Sequence, residues 1–320
     1  MPGRTDVMWT RPVPALPDTD GWAFEPKMDG FRAVLTVAPG GGVSLTSRQN
    51  RPLGRYFPEV VEAARALPAG LRLDGELVIS RGGHVHFAAL QERIHPAVER
   101  VHQLAKAIPA SLIAFDVLTM GAADVRDQPY QERRSVLVTA LGGASPRMGV
   151  MPMTTDRAAA QVWLMGQVPG IEGVIAKRLE GPYRPGVRGW QRIRILRTAQ
   201  AVVAGVAGAR ERPEALILAR ANTRGSLRMI GHTGRLAVPD RIRIGTMLRA
   251  PTSRHPWPHE LPSSQFGQVP GRQVAYTQVE PQLIVEFEHD TAIENGRLRH
   301  PVRFIRVRGD LDLSGLGSWT

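Results

Sequence analysis

The stretch "FEPKMDGFRA", residues 24–33, contains Lys27, one of three lysines (with Lys106 and Lys177) among 41 Lys+Arg residues. Arginine keeps its proton inside proteins and cannot act as an amine nucleophile. Burial and neighbouring charge bring the neutral form of a lysine within reach. A lysine kept in a chain that otherwise uses arginine points to chemistry that needs a removable proton. Further polar groups follow at strand-like spacing: Ser47 and Arg48, then Asp74 and Glu76 on one side of a strand. Phe115 and Asp116 come next, then Glu172 and Lys177, and finally Arg192 and Arg194 on one strand face. Each also has a plain structural reading: Glu172-Gly173 as a turn, Phe115 as core, Arg192 and Arg194 as a solvated face.

The elements that would position these groups read as follows. Residues 22–37 form two strands broken at Asp29-Gly30, and residues 41–48 form a third after a glycine turn. Residues 57–67 carry apolar residues at helical spacing behind Pro58. Helices are expected at 87–94, 97–108, 130–141 and 156–168, and strands at 71–80, 111–120, 173–179 and 189–196. Residues 1–197 are thus an α+β body of mostly antiparallel strands. Residues 198–320 switch to short strands around one helix near 239–250, which suits a small Greek-key barrel of the OB type. The proline- and serine-rich run 251–271 is expected to be a long ordered loop.

Taken in order, these segments resemble the motifs of the covalent nucleotidyltransferases, which comprise ATP-dependent DNA ligases, RNA ligases and mRNA capping enzymes. Lys27-Met28-Asp29-Gly30 with Arg32 matches motif I, Ser47-Arg48 motif Ia and Asp74–Leu77 motif III. Phe115–Leu118 matches motif IIIa and Glu172–Lys177 motif IV. Arg192–Arg194 stands where motif V has Lys-x-Lys, and Arg308–Leu311 where motif VI has Arg-x-Asp-Lys. The resemblance spans essentially the whole chain. It is most similar to the short actinobacterial ligase C type, in which an ATP-grasp-like nucleotidyltransferase domain (here 1–197) precedes an OB-fold domain (198–320).

That resemblance implies an ATP-dependent DNA ligase of DNA repair, which seals 5′-phosphate/3′-hydroxyl nicks through a lysyl-AMP intermediate on Lys27 with Mg2+ or Mn2+. It implies that Glu25 reads the adenine amino group and that Phe115 and Ile175 sandwich the base, with Pro26 alongside the nucleotide. Glu76 holds the ribose, and Glu172 with Glu76 holds the metal. Lys177, Arg192 and Arg194 line the α-phosphate. Arg32, Ser47 and Arg48 hold the nick 5′-phosphate near the nucleotide, and Asp29 orients the site. Arg308 and Asp310 face the pyrophosphate when the OB domain closes. Two departures stand out. Arginine replaces both motif V lysines, exchanging point charges for planar forks. Leu311 replaces the motif VI lysine, which shifts its task to Arg306 or Arg308. The implied partners are nicked double-stranded DNA and a recruiting repair protein of the Ku or polymerase/primase kind. The implied state is a monomer in the cytoplasm, associated with the nucleoid.

Composition sets the outer bounds. The formal charge is +12 and the isoelectric point about 11.1, which favours a polyanion partner. An arginine-rich genome with a solvated surface would give the same balance. Cysteine is absent, which excludes disulfides, thiolate zinc sites and cysteine nucleophiles, and fits a reducing cytosol. The polar, proline-broken start lacks the apolar core of a signal peptide, and no stretch is long enough to span a membrane. His84 and His86 read as turn and strand residues, and His289 as structural or DNA-facing. Two other readings fit the same residues: an RNA ligase or capping-type nucleotidyltransferase, and a non-catalytic OB-fold nucleic-acid-binding protein. Glu25 ahead of Lys27 favours adenine over guanine.

Overall fold

The computed structural model describes residues 7–319 apart from 83, 96, 167, 169, 223, 267–270, 295, 314, 317 and 318. The chain divides into two units, Met1–Ile195 and Leu196–Thr320.

Unit 1 begins with β1 (Thr10–Pro12), β2 (Trp22–Met28), β3 (Phe31–Val37), β4 (Val43–Ser47), α1 (Pro58–Ala64) and β5 (Arg72–Val78). A short hairpin of β6 (Ser80–Arg81) and β7 (His84–Val85) leads to α2 (Phe87–Arg93) and α3 (Val98–Ala107). Then come β8 (Ser111–Met120), β9 (Ala123–Asp124), α4 (Tyr130–Leu141), β10 (Met148–Val150), α5 (Arg157–Leu164), β11 (Ile171–Arg178) and β12 (Trp190–Arg194). Two sheets result. One runs β10-β8-β5-β3-β4 with β9 beside β8; the other runs β1-β12-β11-β2. Most pairs are antiparallel; β1 with β12 and β10 with β8 are parallel.

Strand alternation sorts these sheets into layers. Ala33, Leu35, Leu73 and Leu77 join α1–α4 in one core on the outer face of the larger sheet. Trp22, Phe24, Val174, Ala176 and Ile193 pack against α5 on the outer face of the smaller one. The residues in between on each strand point inward, where Met8, Phe115, Leu118, Met151, Tyr183 and Trp190 form a third cluster that holds three aromatic rings. Lys27, Asp74, Glu76, Lys177, Arg192 and Arg194 alternate with these core residues and so lie on the inner faces. Strand β1 was not expected, because the prolines around it mask its pattern.

Unit 2 holds β13 (Leu196–Ala207), β14 (Ala215–Ala221), β15 (Leu227–His232), α6 (Val238–Met247), β16 (Glu260–Pro262), β17 (Gln273–Ala275), β18 (Thr277–Gln278), β19 (Ile284–Asp290), β20 (Ile293–Glu294), β21 (Arg297–Leu298) and β22 (Arg303–Val307). The main sheet runs β15-β14-β13-β19-β22. A parallel bridge from Thr233 to Val302 joins its two ends, and the Gly234 amide donates to the Val302 carbonyl at 2.8 Å. Five strands in this order, closed on themselves with a helix between the third and fourth, make an OB-type barrel. The expected loop at 251–271 is in part structured: β16 pairs with β17, and a 3-10 turn covers Ser263–Phe266. Trp257 fixes this segment by donating its indole N–H to Leu227.

Candidate active site

Pairing places Lys27 opposite Gly173 and Glu25 opposite Ile175, with Pro26 opposite Val174 between them. On the other side of β11, Ile175 faces Arg192 and Gly173 faces Arg194. Directly opposed residues share a face. Glu25, Lys27, Ile175, Lys177, Arg192 and Arg194 therefore lie on one side of the small sheet. Glu172 joins them through a β-bulge: the register jumps from Ile171 to Gly173, leaving Glu172 as the extra residue. Its carboxylate accepts from Lys27 Nζ at 2.5 Å, with both side chains partly exposed. Gly173 makes the bulge possible, because a Cβ there would stand 2.0 Å from the Ile193 carbonyl oxygen. Gly30 acts similarly after the motif I hairpin: a Cβ would meet the Leu77 carbonyl oxygen at 2.3 Å and Glu76 Cγ at 2.7 Å. The Asp29 amide donates to Gly170 across that turn.

Deeper in, Glu25 is 2 % exposed and Lys177 1 %. Lys177 Nζ lies 2.8 Å from Glu25 Oε2 and donates to the Phe115 carbonyl at 2.7 Å, with Phe115, Tyr130 and Trp190 rings around it. Tyr130 donates to Glu25 Oε1 at 2.5 Å, and Arg134 Nη1 lies 3.6 Å away. Burial raises the Glu25 carboxyl above its usual range, opposed by Lys177, Tyr130 and Arg134. Asp116 takes a two-pronged bond from buried Arg133 at 2.7 and 3.0 Å. A second bulge, between Asp74/Asp116 and Gly75/Ala114, leaves Phe115 as its extra residue. Phe115 belongs to the inner cluster, and Ile175 packs against it.

On the larger sheet, Arg32 Nε and Nη2 donate to Asp74 at 3.0 and 2.6 Å, and the guanidinium lies 5.5 Å from the Phe115 ring centroid and 5.4 Å from that of Trp190. Breaking a buried pair like this costs about 3–5 kcal/mol, because the other charge stays behind. Tyr183 donates to Asp74 Oδ2 at 2.6 Å. Burial pushes the Glu76 carboxyl up to about 7; Lys27 and Arg32 pull it down, while Asp74 and Asp29 push it up. Arg48, exposed at the end of β4, stacks on Trp9 at 5.2 Å. The Ser47 hydroxyl accepts from the Gln49 and Arg51 amides and holds the turn that carries Arg48.

Residues 15–195 match the family model described as "ATP dependent DNA ligase domain". The chain is 37 % identical over 311 residues to DNA ligase C2 of Mycolicibacterium smegmatis, covering 91 % of this chain and 87 % of that one. It is 37 % identical over 328 residues to DNA ligase C of Mycobacterium tuberculosis, covering 95 % and 90 %. The crystal structure of the ligase domain from M. tuberculosis LigD superposes with a TM-score of 0.52 at 25 % identity, covering 98 % of both chains. The chain belongs to the ATP-dependent DNA ligases.

In this ligase the small sheet, the motif I hairpin and β5 bring Lys27, Asp29, Glu76 and Glu172 to one place. Ser47 and Arg48 lie apart from them at the end of β4. Lys177, expected along a phosphate, is buried against Glu25, because a carboxylate that far from water needs a cation. Arg32, expected to be offered to DNA, is tied to Asp74. The sequence reading overlooked Tyr130, Arg133, Arg134, Tyr183 and Trp9. Their contacts span long separations, 105 residues for Tyr130 with Glu25, so no local pattern marks them.

Among the described residues no three His, Cys, Asp or Glu converge on one point. Glu172 and Glu76 are the carboxylates here that could hold a magnesium ion that keeps most of its waters, and burial, outweighing Lys27 and Arg32, is what raises the Glu76 carboxyl. In unit 2, Arg308 donates to both Asp310 oxygens at 2.8 and 2.7 Å, and its Nη1 lies 3.3 Å from Glu286. That pairing pushes Asp310 down to about 2. Leu311, partly buried, packs against a cluster of Val202, Ala204, Ala219, Ile284 and Leu316. His289 is buried between Phe287 and Trp319, which makes it structural. No helix among the described residues is long and apolar enough to cross a membrane.

Proposed function

We propose that this ligase seals 5′-phosphate/3′-hydroxyl nicks in double-stranded DNA through an adenylate carried on Lys27. The observation that carries the reading is the 2.5 Å contact of Lys27 Nζ with Glu172, on a sheet face shared with Arg192 and Arg194. Lys27 Nζ attacks the α-phosphorus of ATP; the N–P bond forms as the bond to pyrophosphate breaks. Glu172 Oε2 would take the departing proton, and Arg192 and Arg194 would meet the charge developing on the α-phosphate. The base would sit between Phe115 and Ile175, its amino group toward Glu25, with Pro26 and Lys177 alongside and the ribose at Glu76. A divalent cation at Glu172 and Glu76 would neutralise phosphate charge.

The adenylate then passes to the nick 5′-phosphate, breaking the N–P bond, and Lys27 recovers its proton. The 3′-hydroxyl attacks that phosphate and AMP leaves. Arg32 and Arg48 hold the 5′-phosphate, with Ser47 fixing the turn behind Arg48 and Asp29 orienting the hairpin. Arginine carries five N–H donors, so the two given to Asp74 do not exhaust Arg32. Unit 1 on this reading is the adenylation domain. The setting is DNA repair, with recruitment by a Ku-type or polymerase/primase partner to supplement a small DNA grip.

Intact-mass measurement with ATP and magnesium, then with GTP, tests the first step. The expected result is one AMP added from ATP, none on Lys27→Ala, and no nick sealing by that variant. An adduct formed from GTP alone would overturn the ligase reading in favour of a capping-type one.

A further inference from the structure

We infer that the segment Met8–Pro12 is a positioning element for the DNA 5′-phosphate, acting on Arg32 and Arg48 together. This rests on the reading of those two arginines as phosphate holders. The segment is seated firmly. Thr10–Pro12 pairs in parallel with Trp190–Arg192; the Trp9 amide donates to Val187 at 2.8 Å, and the Trp190 amide donates to Trp9 at 3.3 Å. Met8 fills space left by a glycine, since a Cβ on Gly189 would stand 2.0 Å from Met8 Cε.

From this seat two lines of contact lead to the arginines. In the first, the Met8 amide donates to the Tyr183 hydroxyl at 3.0 Å, Tyr183 donates to Asp74 at 2.6 Å, and Asp74 grips Arg32 through both oxygens. Tyr183 and Asp74 are both fully buried, so each hydrogen bond in the line is costly to lose. Burial beside Asp74 raises the Tyr183 hydroxyl, which keeps it a donor. β12, to which the segment pairs, also supplies Trp190, whose ring lies against Arg32. In the second line, Trp9 offers its face to the exposed Arg48. Stacking narrows the conformers of a long side chain before any phosphate arrives, which lowers the entropy lost on binding. One element thus sets the spacing of two guanidiniums that act on one anion. Tyr183 and Trp9 are positioning residues, without contact to the reacting atoms.

The test separates the steps of the reaction. Trp9→Leu, Trp9→Phe and Tyr183→Phe are compared with wild type and with Arg32→Ala and Arg48→Ala. Three quantities are read: self-adenylation by intact mass, single-turnover sealing by pre-adenylated enzyme, and binding preference for a 5′-phosphate nick over a 5′-hydroxyl nick. Trp9→Leu and Tyr183→Phe are expected to self-adenylate within about twofold of wild type but to seal at least about tenfold slower, with the phosphate preference lost. Trp9→Phe is expected to recover most of it. If both variants keep the preference while Arg32→Ala and Arg48→Ala lose it, the positioning role is wrong. If the arginine variants keep it too, the phosphate-holder reading itself fails. A parallel loss of adenylation and sealing would mark Trp9 and Tyr183 as merely structural and also overturn the inference.

Discussion

Replacing Lys27 with arginine keeps a cation beside Glu172 but removes the proton that can leave. Lys27→Arg is therefore expected to fold normally yet to fall at least about a thousandfold in self-adenylation, as read by mass. An AMP adduct on that variant would place the nucleophile elsewhere. Glu76 gives a second prediction. Its carboxyl titrates near 7 in the fold against 4.5 ordinarily, so the folded chain binds that proton more tightly than the unfolded one. Between those two values stability must fall as pH rises. Glu76→Gln stays neutral, so it is expected to melt above wild type at pH 8, by on the order of 2 kcal/mol, with the difference closing toward pH 4.5. A gap that grows on acidification would reverse the assignment.

Two of the side chains that matter most, Glu172 and Phe115, are the extra residues of β-bulges. Alternation told from the sequence which faces of β5 and β12 are polar, and the Asp29-Gly30 break told where the hairpin turns. It could not show the bulges, because one inserted residue leaves hydrophobic spacing nearly unchanged while re-aiming a side chain. It missed β1 for a related reason: three residues with Pro12 among them carry no period to read. The buried ties from α4 to Glu25 and Asp116 were likewise hidden, since Arg133 and Tyr130 look like any helix residues until the fold closes. The bulge at Glu172 is directly testable. Gly173→Ala drives a methyl into the Ile193 carbonyl, so β12 must shift and carry Arg192 and Arg194 with it. Urea melts are expected to show a loss of about 1–3 kcal/mol, with slower adenylation. Gly40→Ala has nothing within 4 Å and serves as a near-neutral control. Equal effects in the two variants would remove the special role of Gly173.

Across the whole molecule the 41 Lys+Arg residues exceed what is available to a polyanion locally. Several surface arginines are already matched: Arg303 with Glu288, Arg306 with Glu286, Arg210 with Glu211 and Arg243 with Asp240. Exposed pairs of this kind add little to stability, but each holds its guanidinium to a local carboxylate. What remains for DNA is a subset of the 38 arginines, and its size sets the salt dependence of binding. If about six to ten phosphates are contacted, log K against log salt should have a slope between about −5 and −9. Lys27→Ala removes one cation that Glu172 already neutralises, so its slope should match wild type within about one unit while sealing is lost. Fluorescence anisotropy with a nicked duplex between about 50 and 200 mM salt reads this directly. A slope near zero would instead mean that the arginine excess reflects genome composition, and that specific contacts, rather than the field of the surface, bring this ligase to its substrate.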